Sequence, residues 1–377
     1  MNIRTLLLGS AAAFALVSAA QAADAIVAAE PEPLEYVRIC DAYGAGYFYI
    51  PGTETCLKIG GMVRTEGEWK DAYQPDHKIG TLWHDRAELN VDTATDTEYG
   101  ALKTEMVYRF ESQEGTNSNK LLFANISLGG FMVGKADSQF SSYPGYAGDI
   151  IQDDVVSYGP GPTNTELNQM TYTYDAGNGF TAMVSLEDNG SADNADYDDN
   201  YYDSSFTQSN GRSWKVNEPD HYAPDAVAGL GYKSGMWGFK VVGGYDSIVQ
   251  EGAVKARVDA DFGTFSLFLM GGWNTDGDKL NKYASGYVTD GACPTDREEL
   301  CGWGDWAVWG GGNVVINDKL KGNLQLAYTD SKIFAAAANL QYKPVGGFTI
   351  EPEVEYTDWD STNRDTWAGI MRFQRSF

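Results

Sequence analysis

Long apolar runs are scarce in this chain of 377 residues. The longest, Leu6–Val17, follows Arg4 and precedes the small-residue pattern Ala20-Gln21-Ala22. It falls well short of the ~20 apolar residues a spanning helix requires. A charged start, an apolar middle and a small-residue end mark residues 1–22 as a cleaved secretory signal. Farther on, Ile333–Ala338 is only a short run of small apolar residues. A bundle of membrane helices is thereby excluded.

Cations are scarce too, with 27 Lys and Arg against 53 Asp and Glu, a net charge of −26. Such a chain repels nucleic acid and anionic surfaces, but it does not repel small cations. Histidine is limited to His77, His84 and His221. No H-E-x-x-H, G-x-S-x-G or Walker loop accompanies them, so no enzyme, metal or cofactor is expected. Disorder is excluded by a hydrophobic content of 43% and an aromatic content of 13%. The four cysteines, Cys40, Cys56, Cys293 and Cys301, suit disulfides in an exported chain. Pairing of near neighbours is the simplest of three connectivities. A zinc site would be the rival, without a C-x2-C to support it.

Alternation is what the chain has in quantity. FTIEPEVEYT places Phe348, Ile350, Val354 and Tyr356 on one face and Glu351, Glu353 and Glu355 on the other, if it is a strand. From Cys56, Ile59, Val63 and Trp69 oppose Lys58, Arg64, Glu66 and Glu68. LWHDRAELNVD sets His84, Arg86, Glu88, Asn90 and Asp92 against Trp83, Leu89 and Val91, with Asp85 out of pattern. ALKTEMVYRFES sets Lys103, Glu105, Arg109 and Glu111 against Leu102, Met106, Tyr108 and Phe110. About sixteen such segments can be counted, centred between Met62 and Met371.

Short Gly- or Asn-rich turns join strands at one end, often followed by an aromatic, as at Phe131, Phe180 and Phe265. Residues 138–165, 188–222 and 274–302 are long connections. A soluble sandwich also alternates, but serial ionised residues, the strand count and the closing strand TWAGIMRFQRSF favour a closed transmembrane barrel. The fold class expected is all-β: a closed 16-stranded antiparallel barrel over residues 56–377. It would have short periplasmic turns, long extracellular loops and a periplasmic segment over residues 23–55. Lipid would meet the greasy faces, and a water-filled lumen the charged ones.

Within 138–165, PGYAGDIIQDDVVSYG mixes Ile150, Ile151, Val155 and Val156 with Asp149, Asp153 and Asp154. A loop folded into the barrel satisfies both sets, with apolar residues on the wall and carboxylates at the gap. An ordinary surface loop is the bland alternative. Lys58, Arg64, Arg86, Lys103, Arg109 and Arg372 fall on lumen faces as a basic pore wall, with Glu351, Glu353 and Glu355 as an acidic one. Either the bases set a field across the opening or they pair locally with Glu66, Glu88, Glu105 and Glu111. A general diffusion pore with a cation lean is the expected function. A substrate-specific channel and a calcium-binding or adhesive module on Asp193, Asp196, Asp198, Asp199 and Asp203 are the rivals, the latter without EF-hand spacing.

The stretches AADAIVAAEPEPLEYVRICDAYGAGYFYIPGTETCLKIGG, GYAGDIIQDDVV, GDWAVWGG and GIMRFQRSF resemble those of alphaproteobacterial general porins, the group that includes the Brucella Omp2 porins. The resemblance implies a sixteen-stranded trimeric outer-membrane porin whose loop after the fifth strand narrows the pore. It also implies a Cys40–Cys56 pair and constriction-loop roles for Asp149, Asp153 and Asp154. The partners implied are a homotrimer, outer-membrane lipid and lipopolysaccharide, the outer-membrane assembly machinery, and small hydrophilic solutes and ions. DNGSADNADYDDNYYDSSF and the Cys293–Cys301 loop depart from that group.

Overall fold

A computed structural model of the protein describes residues 38–70, 81–152, 156–160, 166–188, 223–247, 250–277, 281–284, 302–360 and 363–377. After a two-residue strand, β1 (Phe48–Tyr49), come β2 (Cys56–Lys70), β3 (Thr81–Thr97), β4 (Gly100–Gln113), β5 (Thr116–Leu128) and β6 (Phe131–Asp137). The series continues with β7 (Glu166–Asp175), β8 (Phe180–Glu187), β9 (Asp225–Ser234), β10 (Trp237–Asp246), β11 (Glu251–Asp261) and β12 (Phe265–Asn274). It ends with β13 (Trp306–Asn317), β14 (Leu320–Thr329), β15 (Ile333–Val345), β16 (Phe348–Trp359) and β17 (Arg364–Ser376). From β2 onward each strand pairs antiparallel with the next, and β17 returns to β2 in a register from Ala368↔Lys70 to Ser376↔Met62. The sixteen strands β2–β17 thus close into a barrel. Closure leaves no free sheet edge and pairs the wall strand to strand, the condition hydrocarbon imposes.

Every strand centre read from alternation lies inside an observed strand, from Met62 in β2 to Met371 in β17. The exterior carries large apolar side chains in the open: Ile59, Val63 and Trp69 on β2, Leu267, Leu269 and Trp273 on β12, Val354 on β16. A water-soluble surface would bury these. Asp85, out of pattern on the outer face of β3, accepts a hydrogen bond from the Thr65 hydroxyl of β2.

At one mouth the turns span two to four residues, as between β3 and β4 or β15 and β16. Between β5 and β6, Gly129 and Gly130 have φ of 59° and 86°, the left-handed pair a tight hairpin needs. The other mouth is uneven, with Glu114-Gly115 joining β4 to β5 while whole loops follow β6, β8 and β12. Cys40 and Cys56 form a disulfide with Cα atoms 6.0 Å apart. Cys293 and Cys301 lie outside the described residues.

Candidate functional site

The loop that leaves the fifth barrel strand, β6, turns inward at once. Ser138 caps a four-residue helix, α1 (Gln139–Ser142), its hydroxyl oxygen accepting from the Phe140 amide at 3.2 Å. Glu187, fully buried at the end of β8, holds this root by accepting from the Ser138 hydroxyl and the Gln139 amide, each at 2.8 Å. A second extracellular loop locks the same place. The Tyr283 hydroxyl donates to Glu187 at 3.1 Å, and the Lys282 ammonium donates to Asp225 of β9 at 2.7 Å. Burial and the Glu187 carboxylate push the Tyr283 phenol well up, so it stays a donor.

From this root the loop crosses the inner wall strand by strand. Tyr143 bonds Thr181 of β8 at 2.8 Å and accepts on its carbonyl from Lys240 of β10 at 2.6 Å. Arg257 of β11 donates to the Tyr146 carbonyl. Lys321 of β14 pairs with the Asp149 carboxylate, and Asn339 of β15 donates to the Asp149 carbonyl at 2.8 Å. At the far reach, Glu353 of β16 accepts from the Ile151 amide at 2.7 Å, the Gln152 amide at 2.9 Å and Asn339 at 2.8 Å. The return leg gives its Val156 carbonyl to Trp309 of β13 at 2.8 Å and its Ser157 carbonyl to Trp303 at 2.6 Å, then its Tyr158 carbonyl to Lys255 of β11.

Of the four apolar residues expected against the wall, Ile150 and Val156 are buried, Ile151 is half-buried and Val155 lies outside the described residues. Phe140, Ala147, Val156 and Tyr158 join Met183, Val227, Val242, Met270 and Trp309 of the inner wall in one buried cluster. Each such large side chain withdrawn from water contributes about 1.5–3 kcal/mol. Inward-facing glycines make sockets for the loop aromatics. A Cβ at Gly229 would meet the Tyr143 ring at 2.7 Å, one at Gly244 the Tyr283 ring at 2.7 Å, and one at Gly272 the Trp303 ring at 2.5 Å. The loop therefore covers much of the inner wall of β8–β16, and the remaining arc, β17 and β2–β5, carries a separate set of charged inward side chains.

That arc is charged and paired. Arg372 of β17 bonds Glu66 of β2 and stands 3.8 Å from Glu351. Arg64 donates to Gln374 at 2.8 Å and lies 3.9 Å from Glu66. Arg86 of β3 meets Glu111 of β4 at 2.7 Å, and Arg109 meets Glu88 at 2.5 Å. His84 sits 3.7 Å from Glu66 and 3.5 Å from Glu111. Arg64 and Arg86 are direct cross-strand neighbours. Like charges placed so repel, and the flanking carboxylates and Gln374 offset it.

A closed sixteen-strand wall, a loop after the fifth strand moored on its inner face and a charged arc together describe a pore. A family model described as the porin subfamily matches residues 24–373. The chain belongs to the porin family. It is 43% identical to porin Omp2b of Brucella suis and 40% identical to porin Omp2b of Brucella neotomae, each over the full length of both chains. Among solved structures, the outer membrane channel DcaP of Acinetobacter baumannii superposes with a TM-score of 0.62 at 16% identity, over 87% of this chain and 99% of that one. An anion-selective porin from Comamonas acidovorans gives 0.57 at 11% identity, over 86% and 100%. These two likenesses show the fold alone. This porin is an outer-membrane β-barrel forming a channel for passive diffusion.

The porin's sequence-derived residues are placed unevenly. Asp149 is at the moored reach of the loop with its side chain 55% exposed; Asp153 and Asp154 lie outside the described residues. Arg64, Arg86, Arg109 and Arg372 share one arc with carboxylates between them, Lys103 is exposed on β4, and Lys58 stands at the short-turn mouth of β2. Glu351, Glu353 and Glu355 face inward but are only 5%, 2% and 7% exposed. Gln341 donates to Glu351 at 2.9 Å, and Glu353 carries the loop. Sequence reading assigned no role to Lys240, Lys255, Arg257, Lys321 or Trp303, all of which hold the loop. The one local signal for the four cations is the parity that places them on inward strand faces; Trp303 lies in the turn before β13 and has none.

Proposed function

We propose that this porin passes small hydrophilic solutes and ions by size-limited diffusion, with cations preferred at a constriction made by loop 138–165. The observation that carries the reading is the mooring of Ile151 and Gln152 on Glu353 at 2.7 and 2.9 Å, which holds residues 148–152 against the inner wall. Asp149 belongs to that moored reach and pairs with Lys321, and Asp153 and Asp154 follow it in the sequence, while the arginines of β17 and β2–β4 are offset by Glu66, Glu88 and Glu111. Fixed charge within a gap comparable to the ~8 Å Debye length acts on every permeant ion.

Neutralising Asp149, Asp153 and Asp154 together to asparagine is expected to lower the cation preference read from planar-bilayer reversal potentials at low salt. An unchanged potential would remove them from the selectivity site. Swelling of proteoliposomes should fall smoothly with the size of neutral sugars. Saturation for one solute class would instead favour a substrate-specific channel.

The exposed apolar exterior meets outer-membrane lipid and lipopolysaccharide, and the closing strand ending in Phe377 suits recognition by the assembly machinery. We further propose a homotrimer, as its likeness to the general porins suggests. The mass of the detergent-extracted, unheated protein should be three chains, and a single-chain mass would refute this.

A further inference from the structure

Residue 56 is an inward position. It shares the parity of Arg64 and Glu66 on β2, opposite the lipid-facing Ile59, Val63 and Trp69. The disulfide to Cys40 therefore holds the segment before β2 on the lumenal side of the wall. β1 first takes the edge of β2 that β17 leaves free, through Phe48↔Leu57 and Tyr49↔Cys56, and Ile39 bridges back to Phe48. Residues 39–49 thus form a hairpin at the short-turn mouth, the periplasmic one by the barrel rule. Cys40 and Cys56 are 1% exposed and Ala94, the partner of Cys56 on β3, is 0% exposed, so the hairpin covers this part of the inner wall.

Its aromatics reach lumen charges. The Tyr43 hydroxyl donates to Asp96 at 2.5 Å, and the Lys58 ammonium stands 5.7 Å from the centroid of the Tyr47 ring. The two tyrosine rings lie 6.1 Å apart. The hydrogen bond to Asp96 pushes the Tyr43 phenol up to about 12, and burial with Asp92 and Glu105 nearby raises that of Tyr47. Asp92 and Glu105 are register partners on β3 and β4, on the same inward face as Asp96.

We propose that this disulfide-held hairpin is a second selective narrowing, with Tyr43 and Tyr47 as specificity-determining residues at the periplasmic exit. Lys58, beside the Tyr47 ring, and Lys103, the register partner of Ala94, share this mouth with three carboxylates, Asp92, Asp96 and Glu105, so the acids outnumber the bases there and the exit favours cations over anions. It lies on the opposite side of the eyelet from the extracellular loops, and it makes the pore electrically asymmetric end to end.

The proposal rests on the pore reading, and wild-type single-channel conductance, measured first with the protein inserted in one orientation, tests that reading by itself. Tyr43→Ala with Tyr47→Ala is then expected to raise conductance and reduce the difference between currents at the two polarities. Adding reductant to the wild-type channel should do the same, and it should do nothing to a Cys40→Ser/Cys56→Ser channel. The tyrosine variant keeps the disulfide, so its result does not depend on folding without it. Wild-type conductance and wild-type asymmetry in the tyrosine variant would overturn the proposal, whatever the cysteine variant does.

Discussion

Replacing Glu353 by alanine is expected to convert a steady open channel into a wider, noisy one. The carboxylate gathers the Ile151 and Gln152 amides and the Asn339 side chain within 2.7–2.9 Å, at a position only 2% exposed. Hydrogen bonds to a charged group contribute about 1.5–3 kcal/mol each, and buried donors left without an acceptor cost more than the mean. Losing even about 3 kcal/mol changes the ratio of moored to released loop by roughly a hundredfold. The apolar cluster around Val156 and Trp309 still anchors the return leg, so release should be local to the far reach. Single-channel recording should show larger, fluctuating conductance, and swelling assays should admit larger sugars. Glu353→Gln keeps an acceptor but loses the charge, and its behaviour should fall between. Quiet wild-type conductance in Glu353→Ala would show that the far reach is not held by this carboxylate.

An arginine in place of Leu269 should be the most damaging single change on the barrel exterior. Leu269 lies mid-strand on β12, 59% exposed and facing outward with Leu267 and Trp273. A cation there has no water to solvate it and costs about 2–4 kcal/mol at the bilayer midplane. That is roughly a thirty- to thousandfold loss in the folding equilibrium. Urea titration in lipid vesicles should show the midpoint fall for Leu269→Arg and move far less for Leu269→Ala, which removes contacts without adding charge. Equal stability of the two variants would mean that this face does not meet hydrocarbon.

The contrast between these two positions shows what was legible in the sequence. Leu269 is read correctly from its neighbours, because the period of two is a property of the extended backbone itself. The same local rule locates all sixteen strands, the tight turn at Gly129-Gly130 and the inward direction of Arg64, Arg86 and Arg109. Glu353 is different. Alternation says that it faces inward, and from that an acidic pore wall is expected. What buries it is a loop some two hundred residues earlier in the chain. Asp149 and Lys321, 172 residues apart, are joined in the same way. No local pattern encodes such pairings, since they depend on which strands the closed barrel brings beneath the loop.

The arginine arc makes the same point in a milder form. Sequence left open whether the bases set a field or pair with nearby acids. The register of β17, β2, β3 and β4 puts a carboxylate or Gln374 beside each arginine, and register is a relation between strands. By itself, then, the sequence determined an exported wall with one greasy and one charged face, because side-chain alternation and turn chemistry are local and survive without any partner. Which charges meet, which glycines receive an aromatic and which wall strands hold the loop were decided only in the tertiary structure. Closing the sheet sets distances between residues that the linear chain leaves unrelated.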